Sequence, residues 1–188
     1  MKRSRRSLEA ESWAFALEVY ARPRVADACL RLQAEAGVDV ILLLFAAFAA
    51  VRHRVLLEPS DLMEMDRICS PWREQVVHPL RAFRVGLKSG PSPAPSQATE
   101  RLRSKIKASE LQAERIENDL LADYLRQKEP QAPAVTSENV CAILRSVIML
   151  ALQKRGGGRM VELLPAMDEV VEAANQARIE GAGVGSNG

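Results

Sequence analysis

Apolar residues recur along this chain at helical spacing and nowhere alternate as a half-buried strand would. The strongest run is Val38–Val51, V-D-V-I-L-L-L-F-A-A-F-A-A-V, in which Asp39 is the one charge. A helix apolar on every side must be covered on every side. At 1.5 Å per residue the run reaches roughly 21 Å, short of a membrane crossing, so it predicts a buried core helix over about 38–53. Gly37 breaks the chain before it, Asp39 is placed to cap it, and Arg52, His53 and Arg54 close it with the charge sign that a helix C-terminus favours.

Other stripes are arranged around it. Trp13, Ala16, Leu17 and Tyr20 predict a first helix from an N-cap at Ser12 to about Ala21. Pro23 suits the opening turn of a second, with Val25, Cys29, Leu32 and Ala36 as its stripe and Gly37 as its end. Ser60 predicts a short helix ending near Cys69, and Ser70-Pro71 a longer one in which Trp72, Val76, Leu80, Phe83 and Leu87 form the packed face. Pro79 removes the bond to the Gln75 carbonyl and predicts a kink there. After the Pro-rich segment 88–96, residues 97–128 predict one long helix with Leu102, Ile106, Ala113, Ile116, Leu120 and Tyr124 along one side. Beyond a second Pro-containing linker, Ser137 predicts the cap of a helix over about 138–153. Three glycines break it, and Pro165 is expected to start the main part of a last amphipathic helix.

The expected fold is therefore all-α: a compact multi-helix bundle around the buried helix, one long helix at 97–128 and a C-terminal helical pair. The expected organisation is a basic disordered arm at 1–7, a helical core at 8–128 containing the linker 89–96, a linker at 129–136, the pair at 137–180 and a disordered tail at 181–188. In this reading residues 8–128 fold without the rest. The chain's 188 residues, 47% of them hydrophobic, suffice for such a core.

Charge narrows the function classes. Lys and Arg number 26 and Asp and Glu 24, too balanced for totals to argue nucleic-acid binding. Locally, Arg81, Arg84 and Lys88 step along one side of a helix, and Arg101, Arg103, Lys105 and Lys107 crowd the positive end of the long helix, which disfavours cations. These seven are candidate contacts to an anionic partner; equally, they can pair with acids of the same chain, Glu110 and Glu114 for instance. Lys154-Arg155-Gly156-Gly157-Gly158-Arg159 has backbone and charge suited to phosphate but lacks a Walker pattern and a preceding strand, and reads equally as a hinge. Trp13, Tyr20, Trp72 and Arg73 are candidates for lining a pocket for a flat or anionic ligand, or for plain core packing.

Catalytic chemistry finds little support. Two histidines, His53 and His78, do not supply a di-iron or zinc ligand set. Cys29, Cys69 and Cys141 have neither disulfide nor metal spacing. No catalytic, cofactor or metal residue is assigned. The basic N-terminus is followed by Glu9 and Glu11 rather than an apolar stretch, so a cytoplasmic protein without a membrane span is expected.

Three segments carry a resemblance: W-A-F-A-L-E-V-Y-A-R-P-R-V-A-D-A-C-L-R-L-Q-A-E-A-G-V-D-V-I-L-L-L-F at 13–45, P-W-R-E-Q-V-V-H-P-L-R-A-F-R at 71–84 and L-R-S-K-I-K-A-S-E-L-Q-A-E-R-I-E at 102–117. Over about residues 8–125 the chain resembles a small proteobacterial family of uncharacterised, all-helical proteins. The resemblance implies a bacterial cytoplasmic helical protein and brings no activity. The expected function is a non-enzymatic helical interaction or adaptor protein, with a protein partner or a second copy of itself. A ligand-binding or enzymatic bundle is the alternative, and RNA or ribosome association through the basic clusters a weaker one.

Overall fold

Why α3 (Val40–His53) organises the molecule is visible in its neighbours. Ten consecutive residues, Leu42 to Val51, are buried. In this computed structural model, which describes residues 5–131 and 134–183, α3 packs against α1 (Arg5–Tyr20), α6 (Gln97–Leu125), α7 (Ser137–Lys154) and α8 (Met160–Gly183). Ala46, Ala47, Ala49 and Ala50 are wholly buried, and small side chains let four neighbours approach one helix. Phe45 and Phe48 meet edge to face at 5.6 Å, and Phe15 of α1 joins Phe48 at 5.7 Å. The ends behave as expected. The Asp39 carboxylate accepts from the Ile41 and Leu42 amides, and Arg54 closes the helix in the left-handed region at φ 58°.

All described elements are helical, which makes the fold all-α. α2 (Val25–Ala36) buries its expected stripe of Val25, Cys29, Leu32 and Ala36 and ends at Gly37 with φ 70°. Its main partner is α8. α8 also packs on α7, so the C-terminal helices lie on the core formed by the first half of the chain. A single hydrophobic cluster contains Leu43 and Phe48 as well as Leu144, Ile148, Met167 and Val170. The division at 129–136 remains a proposal about folding units; the core itself crosses it.

Several local expectations are corrected. α1 begins at Arg5, so Ser12 is not a cap but a buried residue inside the helix, its hydroxyl donating to the Glu9 carbonyl. Residues 1–4 of the expected arm lie outside the described residues. The buried face of α1 is Leu8, Phe15, Ala16 and Val19, whereas Leu17 and Tyr20 stay exposed. The helix expected to end at Cys69 continues: α4 (Pro59–Trp72) passes through Pro71. It runs on as a π-helical turn (Arg73–Val77) into α5 (His78–Gly86). The irregularity expected at Pro79 appears as that turn, where the His78 amide reaches back to the Arg73 carbonyl. Thr136, not Ser137, caps α7, and Pro165 lies inside α8, which already begins at Met160 and continues to Gly183. Residues 184–188 lie outside the described residues.

α5 and α6 depart furthest from expectation. Trp72, Val76, Leu80, Phe83 and Leu87 form no buried face: none of the five is buried, and Phe83 is 68% exposed. On α6 the buried positions are Thr99, Glu110, Ala113, Glu117, Asn118, Leu121, Ala122 and Leu125, while Leu102 and Ile116 are exposed. The buried apolar residues of α6, Ala113, Leu121, Ala122 and Leu125, all lie in its second half, and Glu110 near its middle is buried in an ion pair.

Candidate functional site

Two places bring chemically capable side chains together. The first is a buried charge network centred on Arg73. The π-helical turn carries Arg73 inward from the end of α4, and its guanidinium meets three acids from three other parts of the chain. Nε donates to Glu117 Oε1 of α6 at 2.9 Å, and Nη1 to Asp66 Oδ1 of α4 at 2.8 Å. Nη2 makes a charge contact with Asp39 Oδ2, before α3, at 2.5 Å. Lys154 of α7 reaches Asp66 Oδ2 at 2.7 Å and Ser70 Oγ at 3.4 Å. Asp39 thus has two roles, one oxygen capping α3 and the other facing Arg73.

Three carboxylates cannot all ionise against one guanidinium in so dry a place. Glu117 is 1% exposed. Burial first, and then the Asp39 charge and a hydrogen bond to Asp39, push its carboxyl up to about 9. Burial and the neighbouring Asp39 thus favour the protonated form of Glu117. Burial raises the neighbouring Cys69 thiol, whose Sγ lies 4.0 Å from the Glu117 carbonyl oxygen. Cys29 is pushed up to about 12 by burial. A thiol in that state is a packing group, not a nucleophile. His78 is lowered by burial, then by Arg81 and Arg73. Among the described residues no group of three or more His, Cys, Asp or Glu side chains is arranged to hold a metal, and no helix is long and apolar enough to cross a membrane.

The second place is the antiparallel pair of α5 and the first half of α6. Arg81 donates through Nε to Glu110 at 2.8 Å and through Nη2 to Glu114 at 2.6 Å. Arg84 also binds Glu110, through Nε and Nη2. Glu110 is lowered, its burial outweighed by hydrogen bonds from both arginines. Glu114 is raised, because its burial outweighs Arg81. α5 is therefore tied to α6 by Arg81 and Arg84, with Leu80 and Leu87 half-buried beside them and Phe83 and Val85 exposed.

The sequence-derived candidates separate accordingly. Arg81 and Arg84 are consumed by Glu110 and Glu114. Arg103 pairs with Glu100 one turn earlier. Lys88, Arg101, Lys105 and Lys107 are exposed, with no ion pair among the described residues. Of the four pocket-or-core candidates, Arg73 is the network's centre and Trp72 donates its indole N–H to the Ala113 carbonyl at 2.9 Å. Trp13 is half-buried on α1, and Tyr20 is exposed within electrostatic range of Glu114 and Arg81. Two surface hollows along α8 are lined by other residues than these four. The 154–159 loop keeps its cations busy: Lys154 as above, Arg155 on the Ala34 carbonyl, Arg159 on Glu162. Glu110 and Glu117 themselves were missed as buried acids. The signal was a seven-residue spacing that puts both on the line of Ala113 and Leu121, where a solvated glutamate has no reason to be.

A family model described as Protein of unknown function (DUF2390) matches residues 11–121. The chain belongs to that family. The DUF2390 segment contains Asp39, Asp66, Arg73 and Glu117, together with α5 and the whole charged first half of α6; Lys154, α7 and α8 lie beyond it. No curated protein and no solved structure matches the chain.

Proposed function

We propose that the chain is a non-enzymatic helical interaction protein of the cytoplasm, and that it contacts its partner through the outward side of α5. One observation carries this reading: Phe83 of α5 is 68% exposed, the most exposed of the chain's large apolar side chains among the described residues. An amphipathic helix of a self-sufficient bundle buries its apolar stripe. α5 turns Arg81 and Arg84 inward to Glu110 and Glu114 and leaves Phe83 in solvent. So large an apolar side chain left in water, with Val85 also half exposed on the same helix, supports a surface that another molecule covers. The Arg73 network supports the same reading as scaffold: it fixes the π-helical turn from which α5 departs.

The test is a photo-crosslinking residue at position 83, with one at Leu30, exposed on α2, as the control, in cells that naturally make the chain. The crosslinked protein is identified, remade, and measured for binding to the unmodified chain and to Phe83→Asp. The expected result is capture from position 83 and not 30, with binding weakened at least tenfold by Phe83→Asp. Binding unchanged by Phe83→Asp overturns the assignment of this surface.

A further inference from the structure

We infer that the outer side of the first half of α6 binds double-helical RNA, through phosphate contacts from Arg101, Lys105 and Lys107 and a ribose contact at Ser104; this is independent of the surface on α5. Residues 101–109, R-L-R-S-K-I-K-A-S, carry four cations and no acid. The chain as a whole is only +2, so the remainder is net acidic. Arg103 and Ile106 of this stretch are half-buried, and the other seven residues are exposed. At 3.6 residues per turn, Arg101, Ser104, Lys105 and Ala108 share the side opposite Ile106 and Glu110, and Lys107 stands on its flank. From Arg101 onward no acid interrupts this outer side until Asp119, which lies within electrostatic range of Arg115.

The fold itself makes no use of these charges. Arg81, Arg84 and Arg103 meet Glu110, Glu114 and Glu100, whereas Arg101, Lys105 and Lys107 are exposed and make no ion pair among the described residues. Their place toward the positive end of α6 gains nothing from the helix dipole. Unpaired charge of one sign attracts a polyanion, and the residues between the cations select which kind. Ser104 and Ala108 are small, so a phosphate backbone can approach the helix closely. They offer neither an apolar face for a bilayer nor a large anchor for a protein partner. Tyr124, the one aromatic residue of α6, lies at its far end, so the face has no stacking platform for single strands and suits a duplex. Ser104 favours RNA over DNA. Its hydroxyl donates to the Glu100 carbonyl at 3.0 Å, which leaves its oxygen free to accept. An ionised phosphate has no proton to give it; a ribose 2′-hydroxyl has, and DNA lacks that group.

The probes are a short labelled RNA duplex, the DNA duplex of the same sequence, poly(U), a poly-glutamate peptide and phosphatidylserine vesicles. Binding to the full chain is read by fluorescence anisotropy, and by flotation for the vesicles, over a series of salt concentrations. The RNA duplex is expected to bind at least fivefold tighter than the DNA duplex, with an affinity that falls steeply as salt rises. Arg101→Gln, Lys105→Gln and Lys107→Gln together should weaken it at least tenfold and lower its salt slope by about three. Arg145→Gln, which removes an exposed cation of α7, should change it less than twofold. Ser104→Ala should bring RNA down toward the DNA value with the salt slope unchanged. Phe83→Asp should leave RNA binding as it is, so that failure here and failure of the α5 reading are told apart. Unchanged binding in the triple variant, or loss in Phe83→Asp, overturns the assignment to this face. Equal binding of the two duplexes overturns the choice of RNA, and a preference that survives Ser104→Ala overturns the ribose contact. Tighter binding of poly(U), poly-glutamate or vesicles than of the RNA duplex overturns the duplex, and no binding by any probe at low salt overturns the inference as a whole.

Discussion

α3 and α5 are both helices rich in apolar residues, and the protein treats them oppositely. α3 has no polar side to offer and is surrounded by α1, α6, α7 and α8. α5 has both kinds of residue: its arginines pair with Glu110 and Glu114, Leu80 and Leu87 are only half-buried, and Phe83 stays exposed. Which side of an amphipathic helix is buried depends on what the neighbouring helix presents. The first half of α6 presents Glu110 and Glu114, and two arginines leave water for them because the pairing is multiple and its acids are shielded.

The sharpest way to break the α3 side of the comparison is to end the chain at residue 128. The core cluster spans the linker, so the fragment uncovers the parts of α3 that α7 and α8 cover and is expected to lose cooperative melting. A cooperative calorimetric transition would instead make residues 8–128 a folding unit of their own.

Next in size is Arg73→Leu. It strands Asp39 in a dry site beside Glu117 and leaves Asp66 to Lys154 alone, and removing one partner of a buried pair costs about 3–5 kcal/mol. Chemical denaturation should show that loss, and Lys154→Ala, whose partner Asp66 keeps Arg73, should cost well under half as much. Leu43→Ala, at a wholly buried position of α3, is expected to cost about 3–5 kcal/mol through transfer and cavity terms in the same assay.

Glu117→Gln sharpens the chemistry without emptying the site. Its carboxyl titrates near 9 in the folded chain against an ordinary 4.5, so between those values the native state holds a proton that the unfolded state has released. That contribution is fully present below pH 4.5 and is lost as pH rises toward 9. Glutamine imitates the protonated acid, so the variant should show a flatter fall in stability from pH 5 to pH 9, and should gain on the wild type at the alkaline end. An unchanged pH profile would show that Glu117 is ionised. The smallest effect belongs to the α5 side: Phe83→Asp should leave the melting curve within about 0.5 kcal/mol of wild type, because an exposed side chain packs against nothing.

The sequence was readable where a helix needed nothing beyond its own residues to declare its burial. Asp39, Arg54 and the apolar run between them sufficed for α3, and Gly37 for the end of α2. The candidate surface was half legible. Arg81 and Arg84 were visible as a cationic row, and their pairing with Glu110 and Glu114 was one of two open readings. The stripe of Trp72, Val76, Leu80, Phe83 and Leu87 was equally visible, and periodicity alone assigned it to the core. Periodicity counts apolar side chains on one side of a helix without knowing what stands opposite.

What the sequence by itself determined was the all-α class, the buried helix, the length of α6 and the presence of a C-terminal pair, because propensity, capping and apolar period act within a dozen residues. Only the tertiary structure decided which carboxylates meet Arg73, that burial raises the Glu117 carboxyl, and that Phe83 is left exposed. Those outcomes depend on groups from 7 to 44 positions apart in the chain being brought within 3 Å, where the dielectric and the partner, not the residue's own preference, determine whether a charge is buried.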